Sequence, residues 1–393
     1  MNYKKIILKR GKEESLKRFH PWVFSGAIAR IDDGVEEGDL VAVYTSAKEF
    51  IAVGHFQIGS IAVRILDFTE REIDDNFFYE RLQRAYELRK SIGLIRPDNN
   101  AFRLVHGEGD FLPGLVVDIY DRTAVVQAHS PGMHFARNTI AQALVKIADG
   151  LIRNVYYKSE TTLPYKAQLD PQNDYIIGGF ETNIAIENGL KFHVDWLKGQ
   201  KTGFFVDQRD NRSLLEHYAK GRNVLNMFCY TGGFSFYAMR GQANLVHSVD
   251  SSSKAIKLTN DNVELNFPGD PRHKAFAEDA FKFLNGIDDQ YDLIILDPPA
   301  FAKHKSALKN ALIGYRKLNS KAFEKIKSGG ILFTFSCSQA VNKDQFRLAV
   351  FSAAAQSGRK VRILHQLTQP SDHPINIYHP EGEYLKGLVL YVE

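Results

Sequence analysis

The 393-residue sequence has few cysteines, no long apolar run and no strong net charge, and each absence excludes a class of protein. Two cysteines are too few for a disulfide framework, and no paired Cys and His spacing indicates a zinc site, so no metal is expected. No apolar run reaches the length of a membrane span, and the N-terminus lacks the apolar segment of a signal peptide. We therefore expect a globular cytoplasmic protein with no membrane partner.

Positive charge is concentrated at the N-terminus, although the net charge of the chain is only +4. Residues 1–20 contain seven Lys and Arg residues against two Glu residues. A basic arm of this kind suits a phosphate backbone, and a solvated strand and turn would have the same composition. The candidate backbone contacts are Lys4, Lys5, Lys9, Arg10 and Arg18.

The chain is long enough for two or three domains, and its pattern changes twice. Residues 1–72 hold short β-rich runs separated by glycines, which predicts a small β-barrel. Residues 73–187 mix strands with helices, which predicts a central α/β domain. Strands and helices alternate over residues 188–393, which predicts a doubly wound parallel sheet. The strands predicted in this last region are Asn223–Met227, Leu245–Asp250, His273–Ala277, 293–297, 330–335, 360–366 and 387–392.

The first strand of the predicted sheet leads into a turn with two adjacent glycines, which let the backbone approach a ligand closely. One glycine pair is not the dinucleotide fingerprint G-x-G-x-x-G, which argues against a nicotinamide-dependent dehydrogenase. Asp250 ends the second strand and Asp279 follows the third, where carboxylates can bind ribose hydroxyls and an adenine amine. Either acid alone is more often a helix N-cap, but their common sheet edge favours a ligand. The candidate cofactor-binding residues here are Phe228, Tyr230, Thr231, Gly232, Gly233, Asp250 and Asp279.

An acid and a thiol follow two later strands of the same sheet. Asp297 comes directly after an apolar run, and two prolines with fixed φ angles hold the turn that follows it. Cys337 also follows an apolar run, and it is flanked by serines. Because ligands bind outside the carboxyl ends of the strands of an open α/β sheet, we expect both side chains at the reactive edge.

The pair of residues suits covalent attack on a base. A Cys337 thiolate could add to carbon 6 of a pyrimidine, which makes carbon 5 nucleophilic enough to accept a methyl group. Asp297 would hydrogen-bond ring nitrogen 3 or the exocyclic amine of the base and stabilise the charge of the adduct. The structural alternatives are a thiol that packs as a small hydrophobe and an acid that caps its turn. Cys229, in the cofactor turn, is expected to be structural.

Eight segments together resemble the PUA-containing ribosomal-RNA large-subunit methyltransferase I family. The segments are RFHPWVFSGA (18–27), GDFLPGL (109–115), GQKTGFFVDQRD (199–210), YTGGF (230–234), DPP (297–299), TFSCS (334–338), DHP (372–374) and EYLKG (383–387). The resemblance covers nearly the whole chain, and it implies a PUA domain, a central α/β domain and a class I methyltransferase domain. It also implies S-adenosylmethionine as cofactor, large-subunit ribosomal RNA as partner, 5-methylcytidine as product and Cys337 as nucleophile.

The resemblance adds Gln208, Arg209 and Asp297 to the candidate cofactor pocket. From the residues alone, Lys201–Asp210 would be a turn into a helix that Asp207 caps. Two other functions stay open. The first is an RNA methyltransferase acting on an exocyclic amine, which needs the acid–proline turn but no thiol. The second is a non-catalytic RNA-binding factor of ribosome assembly. The sequence also leaves open whether the chain forms a homodimer.

Overall fold

The computed structural model describes residues 3–164, 167–302 and 304–393, which form two compact units. The first unit contains Met1–Gly189, Val194–Val206 and Ser371–Gly382. The second contains Leu190–His193, Asp207–Pro370 and Glu383–Glu393. Within the described ranges, no helix combines the length and the apolar character that crossing a membrane requires.

The N-terminal part of the first unit is a six-stranded sheet with a short helix, α1 (Glu14–Lys17). Its strands are β1 (Lys4–Leu8), β2 (Trp22–Phe24), β3 (Ile28–Ile31), β4 (Leu40–Tyr44), β5 (Phe50–Phe56) and β6 (Ile61–Asp67), in the order β2-β6-β5-β4-β1-β3. Side chains of β1 alternate between faces, so Ile6 and Leu8 enter the core while Lys5 lies on the opposite face and is exposed; Lys4, at the start of the strand, is exposed as well. The β-rich N-terminal prediction is confirmed.

The rest of the first unit packs helices on a five-stranded sheet. The strands are β7 (Ala101–His106), β8 (Leu115–Tyr120), β9 (Thr123–Ala128), β10 (Asn154–Tyr157) and β11 (Asp174–Ile177), in the order β11-β10-β9-β8-β7. The helices are α2 (Asp75–Ser91), α3 (Pro131–Phe135) and α4 (Arg137–Lys146), and β12 (Ile184–Glu187) follows later in the chain. The Asp74 carboxylate accepts the Phe77 N–H and begins α2.

The second unit contains a seven-stranded sheet. After β13 (Leu190–His193), its strands are β14 (Asn223–Met227), β15 (Leu245–Asp250), β16 (His273–Ala277), β17 (Leu293–Leu296), β18 (Gly330–Ser336), β19 (Val361–Leu367) and β20 (Lys386–Val392). Their order is β16-β15-β14-β17-β18-β20-β19. The helices are α5 (Arg209–Ala219), α6 (Gly233–Arg240), α7 (Ser253–Asn266), α8 (Ala280–Asn285), α9 (Leu308–Lys325) and α10 (Lys343–Ser357).

The doubly wound class I sheet is confirmed with one difference in strand direction. β17 and β18 are buried along their whole length, as continuous apolar runs predict for central parallel strands. β20, however, lies antiparallel between β18 and β19, so the sheet is not wholly parallel. A final strand reached without a crossover helix is free to pair antiparallel, since only parallel neighbours need the long connection.

Candidate active site

The sheet topology brings Asp297 and Cys337 to one edge. β14, β17 and β18 are adjacent and parallel, and Leu296 is in register with Met227 on one side and Thr334 on the other. Asp297 is the first residue after β17, and Cys337 is the first residue after β18. Both side chains are partly exposed, whereas the strands before them are fully buried. The acid and the thiol therefore emerge from neighbouring strands at the ligand-binding edge.

Asp297 is held by the segment that begins α5. Gln208 Nε2 donates a hydrogen bond of 3.0 Å to Asp297 Oδ2, and Asn211 Nδ2 donates to Gln208 Oε1 at 2.6 Å. Arg209 is buried and starts α5, with its Nε 3.8 Å from Asp210 Oδ1. Two side chains that only the resemblance suggested thus start the helix beside Asp297.

The expected Asp207 cap of α5 is wrong. The N-cap position is Gln208, and no side-chain hydrogen bond caps the helix. Asp207 Oδ2 instead accepts the Tyr384 hydroxyl at 2.7 Å. The sequence suggested a cap because an acid precedes a helical pattern. A 3-10 turn at Val206–Gln208 comes directly before α5, however, and Asp207 lies one residue before the N-cap position.

Cys337 lies between two serines that are anchored to helix α9. The Tyr315 hydroxyl is 2.9 Å from Ser338 Oγ, and Ser336 Oγ donates to the same hydroxyl at 2.9 Å. Ser338 Oγ also accepts the Ala302 N–H at 3.3 Å. The serines are fully buried while Cys337 is partly exposed, so the network fixes the loop and leaves the thiol facing outward from it.

Tyr315 and Lys386 are site residues that the sequence reasoning missed. Lys386 is 4% exposed and donates from Nζ to the Ser338 carbonyl at 2.6 Å. Lys386 directly precedes the apolar run 387–392 in the sequence, so a lysine at the start of this strand could have been predicted. Tyr315 gave no such signal, because its role depends on how α9 packs against β18.

The cofactor turn holds two bulky residues in left-handed backbone conformation. Phe228 has φ 58° and Tyr230 has φ 47°, values that bulky side chains rarely adopt and that cluster at functional sites. Gly232 has φ 85°, and a Cβ there would lie 2.6 Å from the Phe236 ring and 2.8 Å from the Thr259 methyl group. The turn therefore requires glycine at position 232. Thr231 is buried, and its carbonyl accepts Asn262 Nδ2 at 3.2 Å.

The two predicted ribose and adenine ligands differ in their surroundings. Asp250 Oδ2 accepts the Tyr230 N–H at 3.0 Å, and Asp250 Oδ1 accepts the Ser252 N–H at 2.9 Å. Each oxygen keeps further acceptor capacity for a ribose hydroxyl. Asp279 is exposed and caps α8 through the Lys282 N–H at 2.9 Å, which is the structural alternative to ligand binding. Acids at the ends of β15 and β16, beside a strained turn, are a set of hydrogen-bond acceptors that fits an adenosine-containing cofactor.

The other thiol of the chain has no exposed reactive surface. Cys229 is buried, and burial, assisted by the nearby Asp250 charge, raises the pKa of its thiol above the ordinary range. A neutral buried thiol is a poor nucleophile, which agrees with a structural role. Among the described residues, no group of three or more His, Cys, Asp or Glu side chains could hold a metal ion.

The basic residues predicted to contact a nucleic acid are all exposed on the first unit. Lys4 forms an ion pair with Asp39 at 3.0 Å, and Lys9 Nζ donates to the Gly26 carbonyl at 3.0 Å. Arg18 Nε donates to the Glu14 carbonyl at 3.2 Å. The remaining members of the arm are Lys5 and Arg10. Part of the charge of the arm is therefore compensated within the unit.

Comparison with known proteins agrees with the geometry of both units. A model of the S-adenosylmethionine-dependent methyltransferase family matches residues 156–381, and a PUA-like domain model matches residues 6–68. A solved S-adenosylmethionine-dependent methyltransferase of Streptococcus mutans has a TM-score of 0.83 at 22% identity, covering 99% of this chain and 100% of that one. Another methyltransferase structure, solved with S-adenosylhomocysteine, has a TM-score of 0.84 at 22% identity and the same coverage. These structures show the fold.

Curated relatives share much more of the sequence. Ribosomal RNA large subunit methyltransferase I of Alteromonas mediterranea is 41% identical over 394 residues, covering 98% of both chains. The protein of the same name from Aeromonas hydrophila is 40% identical, again over 98% of both chains. Identity of this extent, with a matching methyltransferase model, identifies S-adenosylmethionine as the cofactor. The chain belongs to the ribosomal RNA large subunit methyltransferase I family.

Proposed function

We propose that this protein transfers a methyl group from S-adenosylmethionine to carbon 5 of a cytidine in large-subunit ribosomal RNA, through a covalent adduct with Cys337. The observation that carries the proposal is the position of Cys337 directly after β18, beside the Asp297 turn after β17. Methylation of an exocyclic amine needs no thiol at this edge. A partly exposed thiol at a reactive sheet edge is explained by nucleophilic catalysis.

In the proposed reaction, the Cys337 thiolate forms a bond from Sγ to carbon 6 of the cytosine. The electron pair of the 5,6 double bond shifts onto carbon 5, where it is conjugated with carbon 4 and ring nitrogen 3, and carbon 5 becomes nucleophilic. When bound, the cofactor would supply the methyl group from its sulfonium centre: the methyl–sulfur bond would break as carbon 5 takes the methyl group, leaving the electron pair on sulfur as a neutral thioether. Loss of the carbon 5 proton to a base then drives cleavage of the carbon–sulfur bond and returns the thiolate. The serine and Tyr315 network would keep Sγ in place through both steps.

Asp297 would recognise the base in this reaction. Its carboxylate can accept a hydrogen bond from the exocyclic amine, or from ring nitrogen 3 once the adduct is protonated there. Gln208, which donates to Asp297 Oδ2 at 3.0 Å, would fix the carboxylate for that contact. Gln208 and Arg209, with the turn residues and with Asp250 and Asp279, would line the cofactor pocket.

Residues 1–72 would form the RNA-binding domain, followed by a central domain over residues 73–187 and the methyltransferase domain over residues 188–393. The protein would act on ribosomal RNA in the cytoplasm. A base methyltransferase must reach a ring that is unstacked, which costs a few kcal/mol. Contacts of a basic arm to the RNA backbone can offset that cost without contributing chemistry. Lys4, Lys5, Lys9, Arg10 and Arg18 are the proposed contacts.

The test is a methylation assay with labelled cofactor and ribosomal RNA that lacks the modification, followed by identification of the nucleoside. We expect 5-methylcytidine from the wild-type protein. A methylated exocyclic amine would favour the alternative chemistry, and cofactor binding without transfer to any ribosomal RNA would favour a non-catalytic assembly factor. The segment Ser336–Ser338 is called the thiol loop below. Gln339→Ala, a change in the exposed turn that follows this loop, should keep the wild-type product.

A further inference from the structure

Lys386 is a buried cation placed at the thiol loop. It is the first residue of β20 and lies opposite Ser336, the residue before Cys337, in the antiparallel register with β18. Its Nζ reaches past this pair to the Ser338 carbonyl at 2.6 Å. The lysine thus contacts the residue after Cys337 and pairs with the residue before it.

The ammonium group forms no ion pair with a carboxylate among the described residues. Within the parts of the chain that the structure describes, no Asp or Glu oxygen lies within ion-pair distance of Lys386 Nζ, and Glu383 is paired with Lys343. Burial lowers the pKa of Lys386 to about 8, opposed by the charges of Cys337 and then Glu383, with Lys343 acting in the lowering direction. Burying a cation is costly unless an anion or strong acceptor compensates it. If the side chain only had to hold the Ser338 carbonyl, a neutral hydrogen-bond donor would be sufficient.

We propose that Lys386 is a positioning residue whose ammonium group favours the thiolate form of Cys337 and so prepares the nucleophile. The inference rests on the proposed role of Cys337. In this step the S–H bond breaks, the electron pair stays on sulfur and the proton passes to water, or to the Lys386 amine in the fraction of molecules where that amine is neutral. An opposite charge close to an acid commonly lowers the pKa of that acid by about 1–3.

Four other ionisable groups among the described residues lie near this pair. The Asp297 carboxylate emerges beside Cys337 from the turn after β17, and a negative charge there disfavours the thiolate. The Tyr315 hydroxyl comes from α9, and its pKa is raised by burial and further by the Cys337 charge, so it stays a neutral donor. Lys343 comes from α10 and Glu383 from the segment before β20, and they neutralise each other as an ion pair. Because Asp297 is unchanged in every Lys386 variant, a difference in the pH response of Cys337 between these variants reports the contribution of Lys386.

The experiment measures alkylation of Cys337 by iodoacetamide as a function of pH, with peptide mass spectrometry to separate Cys337 from Cys229. The variants are Lys386→Met, Lys386→Gln, Lys386→Arg and, as control, Lys321→Met, a lysine on α9 paired with Glu324. Glutamine keeps a donor for the Ser338 carbonyl without charge, and arginine keeps the charge. Cofactor binding by calorimetry confirms that each variant is folded.

We expect the midpoint of the pH profile to rise by about one unit or more in the Met and Gln variants, so that alkylation at pH 7 falls roughly tenfold or more. The limiting rate at high pH should stay the same, because it reports access to the thiol and not its ionisation. The Arg variant should keep the wild-type midpoint within a few tenths of a unit, as should the Lys321→Met control.

An unchanged midpoint in a folded Met or Gln variant would overturn the proposal, and so would equal shifts in the Gln and Arg variants. No RNA is present in this assay, so its outcome is independent of whether Cys337 attacks cytidine. If Cys337→Ala protein methylated RNA normally, the proposed function would fail while the thiol midpoint would still report on Lys386. Methylation by the Met variant should recover partly between pH 7 and pH 9, which a merely structural role would not produce.

Discussion

Three arginines of the first unit and Lys386 of the second unit are buried with different kinds of partner. In the first unit each of three buried or nearly buried arginines meets a carboxylate. Arg89 pairs with Asp110 through bonds of 2.5 and 2.8 Å, and Arg103 pairs with Asp118 through two bonds of 2.8 Å. Arg64 donates to Glu108 at 2.9 Å. In the second unit the buried Lys386 meets a carbonyl and a thiol loop instead.

This difference in partners distinguishes cations that stabilise the fold from a cation for which we propose a role in the reaction. A buried cation with a bidentate carboxylate has its charge compensated within the fold, so it needs no ligand to explain it. Arg89 and Arg103 also hold the segment Ser371–Gly382, since Arg89 donates to the Asp372 carbonyl and Asp372 accepts the Arg103 N–H. A buried cation without an ion pair to a carboxylate, beside a partly exposed thiol, is the arrangement on which our proposal for Lys386 rests.

The largest effect on stability should come from breaking a structural pair. Arg89→Met leaves Asp110 buried without its cation, so the free energy of unfolding of the first unit should fall by about 3–5 kcal/mol. Lys386→Met leaves no buried carboxylate, so its cost should stay below about 1.5 kcal/mol. Urea denaturation measures both, with the exposed Arg96→Met as control. Equal losses for Arg89→Met and Lys386→Met would contradict the distinction.

The first unit should also be sensitive to acid. Burial lowers the pKa of His55 to about 4, so the folded state favours its neutral form. This contribution is complete above the unfolded value of about 6.5 and is lost as the pH falls through 4, for a total of about 3 kcal/mol. Both tryptophans of the chain, Trp22 and Trp196, lie in the first unit, so their fluorescence follows its unfolding.

Removing the titrating ring should flatten this pH dependence. His55→Phe replaces it with a ring that cannot be protonated, so stability measured by urea titration should fall less between pH 6.5 and pH 4 than in the wild type. If the variant and the wild type lose the same free energy over that interval, His55 is not the acid-sensitive group.

In the second unit, Asp250→Ala should weaken cofactor binding roughly 10- to 150-fold. The change removes charge-assisted hydrogen bonds, each of about 1.5–3 kcal/mol. Calorimetry with S-adenosylmethionine measures the loss, and Asp261→Ala, a change in an i,i+4 ion pair of α7, is the matched control. A folded Asp250→Ala protein with wild-type affinity would refute the ribose assignment.

The smallest effect concerns the basic arm. Neutralising Lys4, Lys5, Lys9 and Arg10 together should flatten the slope of log RNA affinity against log salt, by somewhat under one unit for each phosphate that the variant no longer neutralises. Because Lys4 is paired with Asp39, fewer than four phosphates are expected to be affected. Neutralising four basic residues exposed elsewhere on the same unit, Lys48, Arg84, Lys90 and Lys146, controls for net charge. Wild-type affinity and slope in the quadruple variant would reduce the arm to a solvated face.

The sequence predicts those structural elements that are determined by a single local segment of the chain. β14, β15 and β16 have the predicted bounds, because each is a short segment between turn residues in the alternating strand and helix pattern. The alignment of Asp297 with Cys337 follows from the rule for parallel strands. The short strands β2 and β3 were missed, since three or four residues show no reliable period.

What the sequence does not predict depends on distant segments meeting. The Lys386 contact requires β20 to run antiparallel beside β18, and the Tyr315 contact requires α9 to pack under the same loop. Neither arrangement leaves a local pattern in the chain. The membership of Ser371–Gly382 in the first unit is of the same kind, because it depends on the pairing of Asp372 with partners nearly 270 residues away.

The most direct test of the central claim is adduct formation with RNA that carries 5-fluorocytidine at the target position. Fluorine cannot leave as a proton does, so the carbon–sulfur bond should persist and survive denaturing electrophoresis. Wild-type protein with S-adenosylmethionine should form the adduct, and Cys337→Ala should form none and transfer no methyl group, while its cofactor affinity stays within a few-fold. Normal methylation by Cys337→Ala, or no adduct with the wild type, would contradict covalent catalysis by Cys337.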